Sequence, residues 1–326
     1  MTFQGIIQTG QHSCFNEDGA VVDCAGSGQD GEYQIGTPWP DPRFRLRGQV
    51  VEDLLTGLCW ATDANPAEFP LTWQEAFEFI RAMNARSASG YSDWRLPDRN
   101  ELRSLISYQA KRPALPAGHP FVNVFSGWYW TSTTAAVNSG YAWYVHMDGA
   151  RMFYGGKNQY YMLWPVRGKS TVLPPAGEAA GSPVEERQES VPEKKEPESR
   201  FVPDGDIVHD RHTGLCWRQT ASLSSKPVRW AEALQLVAGL NQAESDRKKG
   251  WRLPNINELE SLVDCSRHSP ALEVNHPFTE VRDVYWSSTT SFFETDWAWA
   301  LYLNKGALGV GFKKQAEFYI WPVRNG

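Results

Sequence analysis

Hydrophobic side chains recur at three-to-four-residue spacing in two separate stretches, which is the pattern of an amphipathic helix. The first stretch covers residues 73–85 and begins with a capping box, in which Thr72 precedes Glu75 by three positions. The second stretch starts 157 positions after Trp73. It carries the same stripe at Trp230, Ala233, Leu234, Val237 and Leu240.

A shorter helix is predicted after each Trp-Arg-Leu-Pro motif, where Asp98 and Asn255 stand three positions before Glu101 and Glu258, as N-cap residues do. Strands are predicted at matching positions of the two halves, namely 50–53, 58–60, 129–134, 142–147 and 161–166, then 207–210, 215–217, 285–290, 298–303 and 318–323. Two helices and a mostly antiparallel sheet predict an α+β domain that occurs twice.

The motifs between these elements also occur twice, in one order. They are Gly-Leu-Cys-Trp at 57–60 and 214–217, Trp-Arg-Leu-Pro at 94–97 and 251–254, and Trp-Pro-Val-Arg at 164–167 and 321–324. A repeat of this length is a whole domain rather than a solenoid unit. We therefore predict an N-terminal hairpin and loop segment at 1–41, one repeat at 42–168 and another at 200–326.

Residues 169–199 between the repeats contain five prolines, seven glutamates and no aromatic residue. Such a stretch buries too little apolar surface to hold itself ordered. It predicts a disordered, flexible linker that lets two domains bind a ligand bivalently.

The 326 residues carry a formal net charge of −6, which argues against a general nucleic-acid binder. The sequence contains no run of about 18 apolar residues, so no transmembrane segment is predicted, and no signal peptide is visible. Cys14 and Cys24 flank a turn at Asn16–Gly19, and a hairpin there brings both thiols together. A disulfide between them suits a secreted, periplasmic or surface protein.

Tryptophan is abundant, and 12 of the 15 indoles form matched pairs between the repeats. Buried indoles contribute large apolar surfaces to a core, so the paired rings are predicted to be structural. Trp39, Trp128 and Trp297 have no partner in the other repeat, which makes them candidates for exposed recognition residues.

The order of the repeated motifs resembles the domain at the C-terminus of the Legionella collagen-like adhesin, a family formerly of unknown function. The resemblance covers nearly the whole chain except the linker. It implies a C-type-lectin-like fold with long loops that present a binding surface. For the adhesin it implies trimerisation and binding of sulfated polysaccharides, but an acidic chain shows no evident basic cluster for such a ligand.

The Arg-Leu-Pro stretch is also similar to one in formylglycine-generating enzymes, which share the lectin-like fold. That chemistry needs a cysteine pair or a copper–thiolate site, and after Leu102 the first repeat has no cysteine while the second has only Cys265. We therefore predict no enzyme activity. We predict no cofactor and no metal, although Asp-Gly turns in the N-terminal segment leave a structural calcium open.

The loops that differ between the repeats are the predicted ligand site. Residues 291–297 carry Phe292, Phe293 and Trp297, where the first repeat has Tyr141 as its only aromatic residue. With Trp128 these residues form the predicted binding set, since aromatic anchors dominate binding energetics. The hypothesis is a recognition module for a glycan or a protein. The alternative is a structural part of a surface assembly, in which these rings make subunit contacts, and the oligomeric state is open.

Overall fold

A computed structural model describes residues 5–174, 199–243 and 250–326 of the chain. Residues 175–198, which make up most of the predicted disordered linker, lie outside the described residues. The described residues form two repeats of one α+β frame and an N-terminal segment, residues 5–41, that contacts both.

The N-terminal segment begins with the predicted hairpin, whose strands β1 (Cys14–Phe15) and β2 (Val21–Val22) are antiparallel. Cys14 and Cys24 are joined by a disulfide, which confirms the predicted proximity of the two thiols. One helical turn follows, α1 (Asp30–Tyr33). The segment is thus shaped by a turn, a covalent bond and a short helix rather than by a core of its own.

Each repeat contains two helices and short strands. The first repeat consists of β3 (Phe44–Arg47), β4 (Val50–Asp53), β5 (Cys59–Ala61), α2 (Trp73–Ala85), α3 (Arg99–Ser104), β6 (Trp128–Thr134), β7 (Tyr141–His146), β8 (Met152–Gly156) and β9 (Val166–Arg167). The second consists of β10 (Phe201–Asp204), β11 (Ile207–Asp210), β12 (Leu215–Arg218), α4 (Trp230–Ala243), α5 (Ile256–Ser261), β13 (Val284–Thr290), β14 (Trp297–Tyr302), β15 (Ala307–Phe312) and β16 (Val323–Asn325). The prediction of two helices and mostly antiparallel sheets per repeat is confirmed.

The helix starts follow the predicted capping chemistry. The side chains of Thr72, Asp98 and Asn255 each accept a hydrogen bond from the backbone amide three positions on, and the carboxylate of the glutamate at that position accepts one from the backbone amide of the cap residue. Strands β8 and β15 were not predicted, because glycine lowers strand propensity and both contain two glycines. The predicted strands at 161–166 and 318–323 are mostly absent as regular strands. Only isolated β-bridges occur there until the last residue of each, Val166 and Val323, where β9 and β16 begin.

Each repeat has its own four-stranded antiparallel sheet, in the order β3-β4-β5-β9 and β10-β11-β12-β16. A further sheet of six strands runs through both repeats in the order β13-β14-β15-β8-β7-β6. Its two halves meet where Leu308 of β15 pairs with Met152 of β8. The two repeats are therefore in direct contact through a shared sheet, whereas the sequence predicted separate domains on a tether; the predicted domain bounds stay a prediction.

Charged side chains between α3 and α5 hold the repeats together as well. Arg99 and Arg103 both bind Glu260, and the Arg99 side chain is fully buried. Arg99 also lies 4.1 Å from the centre of the Trp143 ring. Ile256 of the second repeat occupies the position of Arg99, so this ion triad has no symmetric copy.

The paired tryptophans are buried as predicted. Ten of them are among the largest fully buried side chains, namely Trp60, Trp130, Trp143, Trp164, Trp217, Trp230, Trp251, Trp286, Trp299 and Trp321. Arg95 and Arg252 make bidentate ion pairs with Glu101 and Glu258 at 2.5–2.6 Å, and these pairs tie the strand-like Arg-Leu-Pro segments to α3 and α5. These residues form the common frame of the two repeats.

Candidate functional site

The aromatic loop at 291–297 of the second repeat is occupied by the protein itself. Phe292 packs edge-on against Phe15 of β1, with ring centres 6.0 Å apart. Phe293 lies between the repeats, 5.0 Å from the Arg112 guanidinium and against Gly149. Both rings are half-buried and help to join parts of the chain. The prediction that they bind a ligand has no support from their position.

Two of the other unpaired tryptophans also make internal contacts. Trp297 is half-buried and packs beside Phe312 at 5.6 Å. Trp39 donates a hydrogen bond to the Gln8 carbonyl, and its ring packs closely against Gly10. A Cβ at residue 10 would fall 2.4 Å from the Trp39 ring, and Gly10 has φ of +78°, so glycine is required there.

Trp128, by contrast, lies in a cluster of half-buried rings on one face of the six-stranded sheet. Its ring centre is 4.5 Å from that of Tyr144 and 4.3 Å from that of His146. Tyr161 lies beside the same cluster, 4.7 Å from Tyr144, and its hydroxyl donates to Gln159 at 2.9 Å. The hydroxyl of Tyr161 therefore lies next to the solvent-facing residue Gln159.

Strand register explains why these side chains share a face. Trp128 pairs with His146, and Tyr144 pairs with Phe153 of β8. Directly paired residues lie on the same face of a sheet, and alternate residues of a strand return to it. Trp128, Tyr144, His146 and Phe153 are thus placed together, while Trp143 and Val145 point to the opposite, buried face.

The cluster continues into the second repeat across Gly309 of β15. A Cβ at Gly309 would fall 2.8 Å from the Tyr302 ring and 3.5 Å from the Phe153 ring. The ring of Phe153 from the first repeat and that of Tyr302 from the second therefore both lie next to Gly309, where there is no side chain to separate them. Trp128, Tyr144, His146, Phe153 and Tyr302 together form what we call the outer aromatic row. At about 4.8 Å per strand, a path from β6 to β14 spans roughly 20 Å.

The hydroxyl groups of this row remain neutral at physiological pH. Burial raises the pKa of Tyr144 well above its usual value, and burial followed by the nearby Glu317 raises the pKa of Tyr302. Neutral phenols donate and accept hydrogen bonds. The row therefore offers apolar ring surface and neutral polar tips together, and it lies beside the exposed Arg151 of the β7–β8 turn.

Tyr141, the remaining predicted site residue, is not part of the row. It alternates with Trp143 and Val145 along β7 and so lies on the other face. Its side chain is 39% exposed and its ring centre is 6.2 Å from that of Tyr154. The structure brings Trp128 and Tyr141 to different surfaces.

One arrangement of side chains resembles a catalytic triad. His209 accepts or donates at 3.2 Å to the Cys216 thiol through Nδ1, and its Nε2 lies 3.7 Å from Asp204. The Cys216 side chain is 1% exposed, and burial raises the pKa of its thiol, with Arg324 opposing that shift. A buried, protonated thiol is a poor nucleophile. This arrangement does not support thiol catalysis.

The described cysteines outside the disulfide are Cys59 of β5, Cys216 of β12 and Cys265 in the loop after α5. In the described ranges, no group of three or more His, Cys, Asp or Glu side chains is placed to hold a metal ion. A cavity of 360 Å³ lies between the repeats, beside α3 and α5. Its walls include the Arg99, Arg103 and Glu260 triad, whose charges already serve the repeat contact.

Five residues that the structure makes prominent were not predicted from the sequence. Tyr144, His146, Phe153 and Tyr302 lie in strands, whereas the prediction concentrated on the loops that differ between the repeats. A signal was present in the alternation of Tyr144 and His146 with buried residues, which marks a partly exposed sheet face. The fifth residue, Lys313, is fully buried, and no sequence pattern distinguishes it from an exposed lysine.

Comparison with known proteins identifies one family. The model of the Lcl C-terminal domain matches the chain twice, over residues 49–167 and 206–324. No curated protein matches the chain. Along the described ranges, no helix is both long and apolar enough to cross a membrane.

Proposed function

The chain belongs to the Lcl C-terminal domain family, and from that premise we propose that it is a non-enzymatic recognition module that binds a carbohydrate along its outer aromatic row. The single observation that carries the proposal is the row itself. Half-buried Trp128, Tyr144, His146, Phe153 and Tyr302 lie side by side on a sheet face.

The chemistry of the row suits a sugar. Indole and phenol rings combine an apolar face with a polar tip, and such residues are enriched where a ligand has both kinds of surface. A pyranose ring has an apolar face of C–H groups and an edge of hydroxyls. The neutral tyrosines of the row supply donors and acceptors for those hydroxyls.

A neutral or weakly charged glycan fits this surface better than a strongly anionic one. The chain carries a formal net charge of −6, and the row consists mainly of uncharged side chains. Binding of a sulfated polymer depends on clustered Lys and Arg. Arg151 beside the row gives one cationic contact rather than a stripe.

The family and the fold support a role in adhesion outside the cytoplasm. The adhesin-type domain occurs twice, and the Cys14–Cys24 disulfide suits an oxidising compartment. The looped α+β frame is consistent with the C-type-lectin-like fold that the motifs imply. We place the protein at or outside the cell envelope.

A glycan array tests the proposal. We expect the full chain to bind one class of glycan, and a Trp128→Ala/Tyr144→Ala variant to lose that binding while a Phe69→Ala variant keeps it. Phe69 is 70% exposed in the loop before α2 and provides a matched loss of an aromatic side chain. Near-ultraviolet circular dichroism establishes that each variant is folded. Failure of the full chain to bind any glycan, or equal binding by the double variant, would contradict the proposal.

A further inference from the structure

The loop after β6 and the loop after β13 have the same backbone frame. We call residues 135–141 with Lys157 the Lys157 loop, and residues 291–297 with Lys313 the Lys313 loop. Three hydrogen bonds from a backbone amide to a backbone carbonyl recur at equivalent positions of the two loops. In the first repeat they run from Ala135 to Tyr141, from Tyr141 to Asn138 and from Lys157 to Gly140. In the second repeat they run from Ser291 to Trp297, from Trp297 to Glu294 and from Lys313 to Asp296. Each lysine ammonium also lies over the first indole of a helix, 3.8 Å from Trp73 or 4.1 Å from Trp230.

In the second repeat, the hairpin of the N-terminal segment completes this frame. The Lys313 ammonium donates to the carbonyl oxygens of Phe15 and Asn16 at 3.2 Å each, and to that of Thr295 at 2.9 Å. Three donors meet three acceptors, which is how a buried ammonium is satisfied. The Thr295 hydroxyl donates to the Gly19 carbonyl, so the turn is held at two points.

In the first repeat, no hairpin among the described residues covers the same frame. Among the described residues, the hydrogen bond of the Lys157 ammonium goes to Thr134 Oγ1, at 3.0 Å. Lys157 is half-exposed, whereas Lys313 is fully buried. Val137 and Tyr141 of the loop are 43% and 39% exposed, and residues 138–140 are exposed too. The first repeat thus presents a cation with further donors, an indole beneath it and apolar side chains at its rim.

The side chains of the two loops differ in size. Ala136 and Val137 stand where the second repeat has Phe292 and Phe293. The Lys157 loop therefore leaves more room above the ammonium than the Lys313 loop does.

We propose that the Lys157 loop binds a β-turn of a partner protein, with two consecutive backbone carbonyl oxygens of that turn accepting hydrogen bonds from the Lys157 ammonium. Residues 15 and 16 at Lys313 show the geometry of such a contact within the same molecule. A second copy of this chain is a poor partner, because it has one such hairpin and that hairpin already occupies its own Lys313 loop. The partner is therefore a different polypeptide with an exposed, apolar-flanked turn.

The probe is a synthetic disulfide-closed peptide of residues 12–26, titrated into the full-length chain and followed by NMR chemical shifts. The intramolecular hairpin keeps the Lys313 loop occupied, because its effective concentration exceeds that of added peptide. We expect saturable binding, with shifts at residues 135–141. Lys157→Ala should weaken it roughly ten-fold or more, and Lys111→Ala, at an exposed lysine of the same repeat, should not.

An Ala136→Phe/Val137→Phe variant, which carries the aromatic side chains of the Lys313 loop, shows whether the peptide is competent to dock. Binding by this variant but not by the natural chain contradicts the proposal for the natural loop. Binding that Lys157→Ala leaves unchanged contradicts the role of the ammonium. If neither chain binds, the shared backbone frame does not suffice to accept a turn, and the proposal fails. The variants leave the outer aromatic row intact, so this outcome is separate from the test of carbohydrate binding.

Discussion

The two repeats share a backbone frame and differ in what covers it. The Lys313 loop lies under the N-terminal hairpin, and its lysine is fully buried. No segment within residues 5–174, 199–243 and 250–326 covers the Lys157 loop in this way, and its lysine is partly exposed. The outer sheet face differs as well, because Trp128 and Tyr144 of the first repeat correspond to Val284 and Ala300 of the second. The first repeat therefore carries the more open loop and most of the outer aromatic row, while the second repeat holds the N-terminal hairpin.

This difference shows why divergence between repeats is an ambiguous sign of function. Phe292 and Phe293 diverge from the first repeat because they serve a contact that the first repeat lacks. Trp128 diverges without serving an interface between parts of the chain. Whether a divergent aromatic residue packs against another segment of the chain, rather than its residue type, distinguishes Phe292 and Phe293 from Trp128.

The largest loss of stability is expected for a substitution that breaks the ion triad between the repeats. Glu260→Gln leaves Arg99 and Arg103 without their shared carboxylate, and an unpaired buried charge costs about 3–5 kcal/mol. Urea unfolding measures this loss. The control is Glu78→Gln, since Glu78 pairs with Arg81 on the surface of α2, and we expect a change within about 0.5 kcal/mol. Equal unfolding curves for the two variants would show that the triad does not hold the repeats together.

The lysine pair sharpens the comparison directly. Lys313→Met removes the donor for three carbonyl oxygens and should cost about 2–4 kcal/mol, because buried acceptors are left unpaired. Lys157→Met should cost under about 1 kcal/mol, since its loop is open to water. Chemical denaturation measures the loss of unfolding free energy in each variant, and the two losses are compared. Similar costs would mean that the hairpin cover adds little to the second repeat.

A pH dependence is expected where the N-terminal segment meets the second repeat. Asp30 is fully buried, accepts hydrogen bonds from Thr9 and Thr289, and burial raises its pKa to about 7. A raised folded pKa means that the native state holds a proton which the unfolded state has lost, so stability falls as pH rises from about 4 to about 7.

Asp30→Asn removes that proton exchange and still accepts both hydroxyls. Between pH 5 and pH 8 the variant should gain about 2–3 kcal/mol relative to the natural chain, as measured by denaturation at each pH. A constant difference across this range would show that Asp30 does not titrate there.

The smallest expected effect concerns the rings that join the segments. Phe292→Ala should destabilise the protein by about 1–2 kcal/mol, which is less than a fully buried phenylalanine costs, because the ring is half-buried against Phe15. Val137→Ala in the open loop should change stability by under about 0.5 kcal/mol. Thermal unfolding measures the stability loss of each variant. A larger loss for Val137→Ala than for Phe292→Ala would contradict the conclusion that the hairpin covers the Lys313 loop and leaves the Lys157 loop open.

Much of the frame could be predicted from the sequence because it depends on local chemistry. The capping boxes at Thr72, Asp98 and Asn255 and the stripe of residues 73–85 specify helices through nearby hydrogen bonds and periodicity. The pairing of Leu308 with Met152 was not predictable, because strands β8 and β15 are glycine-containing and far apart along the chain. The contact of Phe292 with Phe15 depends on how the N-terminal segment packs on the second repeat, which no local pattern predicts, and the ligand-binding role of the loop stays a prediction.

The most direct test of the account compares Trp128→Ala with Phe292→Ala in one binding experiment. The ligand is the glycan that gives the strongest array response, and titration calorimetry measures the dissociation constant of each folded variant. The account predicts that Trp128→Ala weakens binding roughly ten-fold or more, while Phe292→Ala lowers stability and leaves affinity within about two-fold. Loss of affinity in Phe292→Ala with retention in Trp128→Ala would place recognition at the loop rather than at the outer aromatic row.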